Sequence, residues 1–162
     1  MRILVVDDDR DVLDDFSNSL KPTGYEIVET DNPNTALELY MKKEFDVVIS
    51  DVHMQGMSGI ELLSKLHEFN PKVHVIIITA FGDLETAISA INNHAYAFFS
   101  KPINFTELIH TIMGIELELY NENKIKMDHS QLEKEYDKLK MAYNDLNRLL
   151  GKMRGNNFYK SC

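Results

Sequence analysis

Five short apolar runs, each followed by a stretch with helical spacing, constrain this chain more than any other feature. Ile3-Leu4-Val5-Val6 and Val47-Val48-Ile49 are continuous, with no polar alternation. Strands buried on both faces read this way. Tyr25–Glu29, Val73–Ile78 and Tyr96–Phe99 have strand composition too. Between them, apolar residues recur every three or four positions: Val12, Leu13, Phe16 and Leu20; Ala36, Leu37 and Tyr40; Ile60, Leu63 and Leu66; Leu84, Ala87, Ile88 and Ile91; Phe105, Leu108, Ile109 and Ile112. Strands alternating with helices at this period predict an α/β domain: a parallel sheet with helices on both faces and right-handed crossovers.

Local signals agree with the periodicity. Asp9 can cap the first helix, and Pro22 and Gly24 stop it. Asp31 or Asn32 can cap the second. Ser58 and Glu61 have the spacing of a capping box before the third. Pro71 ends that helix. No repeat or low-complexity segment is evident.

In a doubly wound sheet, ligands bind beyond the carboxyl ends of the strands. The residues there are chemically pointed. Asp7-Asp8-Asp9 follow the first strand, Ser50-Asp51 the third, Thr79 the fourth, and Ser100-Lys101-Pro102 the fifth. Taken singly, each is an ordinary turn residue or cap. Together they put carboxylates, a hydroxyl and an ammonium at one sheet edge. Clustered carboxylates repel unless a cation intervenes, and Mg²⁺ accepts such oxygen ligands while keeping waters that phosphate oxygens can replace. Asp51 could then attack phosphorus as a carboxylate nucleophile, with Lys101 neutralising charge and Thr79 donating a hydrogen bond.

The segments Ile3–Asp9, Val47–Gly59, Ile76–Ala80 and Phe98–Pro102 together resemble the response regulator receiver domain, over roughly residues 1–119. The resemblance implies a flavodoxin-like five-stranded sheet in the order 2-1-3-4-5. It implies that Asp51 is the phospho-acceptor and that Asp7, Asp8, Asp51 and the His53 carbonyl hold Mg²⁺. Thr79 and Lys101 would contact the phosphoryl group, and Phe98 would be the aromatic switch residue that follows Thr79. The Lys101–Pro102 peptide would be cis. The phosphoryl donor would be a sensor histidine kinase or phosphotransfer protein. Thr79–Ala87 further resembles receivers attached to sigma-54-type activators. The chain departs from the family at Gln55, where proline is usual, and at His94, where glycine is usual and a left-handed backbone costs histidine more. His53 and Phe81 flank the site, where the family tunes dephosphorylation.

Charge shifts near residue 120. Residues 1–119 carry 8 Lys or Arg against 20 Asp or Glu, and residues 120–162 carry 9 against 6. An acidic body argues against direct nucleic-acid binding, and the tail's charges read as solvated helix faces. The single cysteine, Cys162, and the absence of a long apolar run point to a cytoplasmic protein with no membrane span. His67, His74, His94, His110 and His129 show no metal-ligand spacing.

From Ile125, apolar residues fall into heptads. Ile125, Leu132, Leu139, Leu146 and Met153 occupy d; His129, Tyr136, Tyr143 and Leu150 occupy a. The spacing predicts a coiled-coil helix over 125–153, a junction over 120–124 with a phase slip or break near Asn121–Asn123, and a frayed tail over 154–162. In a parallel pair Glu135 would face Lys140, while Glu133 would face Asp128. The stripe could serve a homodimer, dock a partner or missing output domain, or pack on its own body. Pairing could also use the fourth helix–fifth strand–fifth helix face. Two other functions are open to such residues: a Mg²⁺-dependent phosphohydrolase with an aspartyl nucleophile on the first strand, or a coiled-coil scaffold with a silent acidic pocket.

Overall fold

The computed structural model describes residues 1–80 and 84–157, with side chains except at 142, 146, 147 and 149–157. Five strands, β1 (Arg2–Val6), β2 (Glu26–Thr30), β3 (Val47–Asp51), β4 (His74–Thr79) and β5 (Ala97–Ser100), form one parallel sheet in the order β2-β1-β3-β4-β5. The helices are α1 (Arg10–Leu20), α2 (Pro33–Lys42), α3 (Gly59–Phe69), α4 (Leu84–Asn92) and α5 (Phe105–Asn157). The expected fold class and strand order are both present. β3 extends two residues further than its apolar run, so Asp51 is the last residue of the strand and not the first of a loop.

The central strands are buried because they have helices above and below. Ile3 to Val6, Val47 to Ile49 and Val75 to Ile78 are all 1% exposed or less. Leu62, Leu63 and Leu66 of α3 pack on one face with Tyr40 and Phe45. Phe16 of α1 meets Phe105 edge-on, with ring centroids 5.4 Å apart. Leu108, Ile112 and Ile115 continue that buried stripe along the first turns of α5.

Caps fix where the helices begin. Asp9 accepts from the Asp11 N–H, and Asn32, not Asp31, accepts from Asn34 and Thr35. Ser58 and Glu61 form the reciprocal capping box: the Glu61 N–H donates to the Ser58 hydroxyl, and the Ser58 N–H donates to the Glu61 carboxylate. Those bonds hold the exposed Glu61 carboxyl below its ordinary range. After α4, His94 takes the left-handed conformation at φ 62°, while Ala95 N–H donates to Ala90 O and His94 N–H to Ile91 O. This closes the helix as a glycine would, at a cost a side chain must bear.

On α4, Leu84, Ile88 and Ile91 are exposed and Ala90 is buried. Their helical periodicity marks a face, but periodicity alone does not say which side that face meets.

The chain divides into two compact units, Met1–Glu116 and a second beginning at Leu117. The break predicted near Asn121–Asn123 is not there, since 121–124 are helical. Asparagine costs a helix only a few tenths of a kcal/mol, and neither glycine nor proline occurs between Ile115 and Leu150. What changes at the junction is the phase of the apolar stripe. The helix continues to Asn157. The remainder of that tail, 158–162, lies outside the described residues. Among the described residues, no helix is long and apolar enough to cross a membrane.

Replacing Ser58 by Ala removes a cap that directly precedes the site-bearing loop's return into α3. Urea unfolding of this variant is expected to show a stability loss of about 1 kcal/mol, with an unchanged denaturant slope.

Candidate functional site

Strand register brings the chemistry together. Val6 lies level with Ser50, so Asp7 falls beside Asp51. Asp51 lies level with Ile78, and Thr79 with Ser100, so Lys101 emerges at the same edge. The Lys101 N–H donates to Thr79 O at 2.8 Å, and the Lys101–Pro102 peptide is cis. The side chain of Lys101 then spans two carboxylates. Its Nζ is 2.8 Å from Asp7 Oδ2 and 2.9 Å from Asp51 Oδ1. Asp7 and Asp51 are both buried.

The remaining oxygens are also engaged. Asp9 N–H donates to Asp7 Oδ1 at 3.0 Å, and His53 N–H donates to Asp51 Oδ2 at 2.5 Å. Burial pushes the Asp7 carboxyl above its ordinary value, more than the bond from Lys101 pulls it down. Burial alone would depress the Lys101 ammonium. Its hydrogen bonds to Asp7 and Asp51 outweigh that and raise it.

The structure therefore unites Asp7, Asp51 and Lys101 directly. Asp8 is exposed, one residue beyond Asp7 at the same strand end. Thr79 is fully buried, with its Oγ1 3.3 Å from His53 Nδ1. Phe98 is half-buried on β5, level with Ile77 and packed against the core. Phe81 lies outside the described residues.

Two features escaped the sequence. One is the contact of the His53 imidazole with the Thr79 hydroxyl: the resemblance put His53 at the flank of the site but did not join it to Thr79. The other is Gly59. A Cβ there would lie 2.0 Å from the Asp51 carbonyl oxygen, while Gly59 N–H donates to Val52 O at 3.0 Å. Only glycine lets α3 start this close to the end of β3. The signal was its place, eight residues after Asp51, but spacing says nothing of how near two backbones come.

The donor set fits a hard divalent cation. Two buried carboxylates share one ammonium, and exposed Asp8 adds a third acidic group at the rim, so the edge carries an excess of negative charge on oxygen atoms. Among the described residues, no group of three or more His, Cys, Asp or Glu side chains is already gathered in ligating geometry. Lys101 instead supplies the positive charge between Asp7 and Asp51.

A family model described as the response regulator receiver domain matches residues 3–113. The chain belongs to that family. Among curated relatives, a transcriptional regulatory protein, ZraR of Klebsiella oxytoca, is 38% identical over 106 residues, covering 65% of this chain and 24% of that protein. The chain thus spans about a quarter of the length of the first curated relatives it matches. A CheY-like receiver domain protein from Methanospirillum hungatei JF-1 superposes with a TM-score of 0.71 at 31% identity, over 75% of this chain and 97% of that one. The response regulator TrrA of Thermotoga maritima, crystallised with Mg²⁺ and BeF, gives 0.65 at 30% identity, over 70% and 97%.

Asp7 has a testable consequence. A carboxyl raised by folding penalises the folded state once pH exceeds the ordinary value of 3.8, and the penalty is complete above the raised value. Asp7→Asn removes it. Its urea midpoint is expected to exceed that of the wild type at pH 7, with the gap closing as pH falls through the raised value towards 3.8.

Proposed function

We propose that Asp51 accepts a phosphoryl group from a phosphohistidine on a sensor kinase or phosphotransfer protein, and that the chain acts as the receiver of a two-component relay. The bridging of Asp7 and Asp51 by Lys101 Nζ carries this reading. The ammonium stands beside the one carboxylate at the end of the central strand. In the transfer, the donor N–P bond breaks and a bond forms from phosphorus to an Asp51 carboxylate oxygen. Lys101 would follow the charge from the carboxylate to the phosphoryl oxygens. Thr79 would turn its hydroxyl from His53 to a phosphoryl oxygen, and Phe98 would take up space left behind Thr79.

Asp7, Asp8 and Asp51, with the His53 carbonyl, would hold Mg²⁺. When bound, the ion supplies positive charge to the transferring group. The Mg²⁺ and BeF of the Thermotoga maritima neighbour support that assignment. The chain would turn over no external substrate; its chemistry is its own phosphorylation and dephosphorylation.

Output would pass through pairing. The exposed apolar side chains of α4 and of the heptad helix from Ile125 to Tyr143 offer two surfaces, and we assign pairing with a second copy to the heptad helix. A cytoplasmic setting follows from a kinase donor.

Incubation with acetyl phosphate and Mg²⁺ is expected to add one phosphoryl group to the wild type by intact mass, and EDTA to prevent it. Asp51→Asn should show no adduct under either condition. An equal adduct on Asp51→Asn would end the proposal.

A further inference from the structure

The heptad helix has a direction built into its charges. Ile125, Leu132, Leu139, Tyr136 and Tyr143 are between 63% and 69% exposed, an apolar stripe along one helix broken only by His129 at a. Resting on the pairing proposed above, we infer that a second copy covers this stripe in the antiparallel sense, with Tyr136 opposite Leu139 and Tyr143 opposite Leu132 of the other copy.

The argument is one of complementarity. In a parallel, in-register pair the flanking contacts join each g position to the e position of the next heptad. Asp128 would then face Glu133 on both sides of the seam, a repulsion that cancels the attraction of Glu135 for Lys140. Tyr136 would also meet Tyr136, and Tyr143 would meet Tyr143, so bulky rings and hydroxyls share two layers. In an antiparallel pair, flanking contacts join e to e and g to g. Centred between Asp137 and Lys138, the register sets Glu133 against Lys140 twice and brings no like charges together. Each tyrosine then packs against a leucine, with its hydroxyl free to reach the edge of the seam. Sliding by one heptad one way puts Glu133 against its own copy; sliding the other way puts Lys140 against its own copy. One register thus satisfies both packing and charge.

On its own helix Glu133 lies 3.5 Å from His129 Nδ1. That contact is intrahelical and leaves the e–e′ geometry as described.

Spin labels on the full chain test the orientation. In a Cys162→Ser background, a nitroxide at Lys124→Cys is expected about 40 Å from its counterpart in the antiparallel pair, from 1.5 Å per residue, and about 20 Å in a parallel one. A label at Lys138→Cys should lie about 20 Å from its counterpart in either pair. A dimer with a long Lys124 distance and a short Lys138 distance supports the inference. A short Lys124 distance overturns the antiparallel sense but leaves tail pairing intact. A monomer by sedimentation at tens of micromolar, or a dimer with a long Lys138 distance, overturns tail pairing itself.

Charge reversal gives an independent reading. Glu133→Lys should weaken the antiparallel dimer roughly ten-fold in Kd, because two attractions become two repulsions. The double variant E133K/K140E should restore it. In a parallel pair Glu133→Lys would instead tighten binding, by turning the clash with Asp128 into an attraction; that result would overturn the inference. Helicity by circular dichroism on the same samples separates these outcomes from loss of the helix.

Discussion

A single ammonium holding two buried carboxylates is the constraint on which the molecule's active edge depends. Asp7 comes from β1, Asp51 from β3 and Lys101 from the loop after β5, so one side chain ties three separate parts of the sheet together. The arrangement is incompletely balanced by design of its parts: two negative groups share one positive group. Burial makes that imbalance costly, as the raised Asp7 carboxyl records. Such stored cost is relieved by a cation that enters and completes the charge.

The sheet carries this edge because its strands leave so little freedom. Central strands lacking a polar face must be covered on both sides, and helical crossovers of one hand then bring every strand's carboxyl end to the same rim. Gly59 completes the frame. By letting α3 begin against the Asp51 carbonyl, it fixes the loop from Val52 to Ser58, including the His53 N–H that holds Asp51 Oδ2.

Much of this was legible in the residues themselves. Ile3–Val6 and Val47–Ile49 announced buried strands, Ser58 and Glu61 announced the start of α3, and the strand-end rule gathered Asp7, Asp51, Thr79 and Lys101 before any coordinates. The left-handed backbone at His94 was legible only through the resemblance, where glycine is usual at that position. Other features were not legible, for physical reasons. The proximity of His53 to Thr79 depends on side-chain rotamers, which sequence spacing does not determine. The outward face of α4 looks the same as an inward one in a periodicity. The continuity of α5 through 120–124 depends on the small helical cost of asparagine, which a change in heptad phase conceals.

The seating of α4 has a consequence for how the domain moves. Ala90 is buried and Thr86, Ala87 and Ser89 are half-buried against the domain, while the leucine and isoleucines of this helix face solvent. Backbone amide protons here should exchange through local opening at a fraction of the free energy that protects β3 or β4. Thr79, the residue that ends β4, is fully buried, so the chemistry is anchored in the sheet while α4 turns its apolar side chains outward.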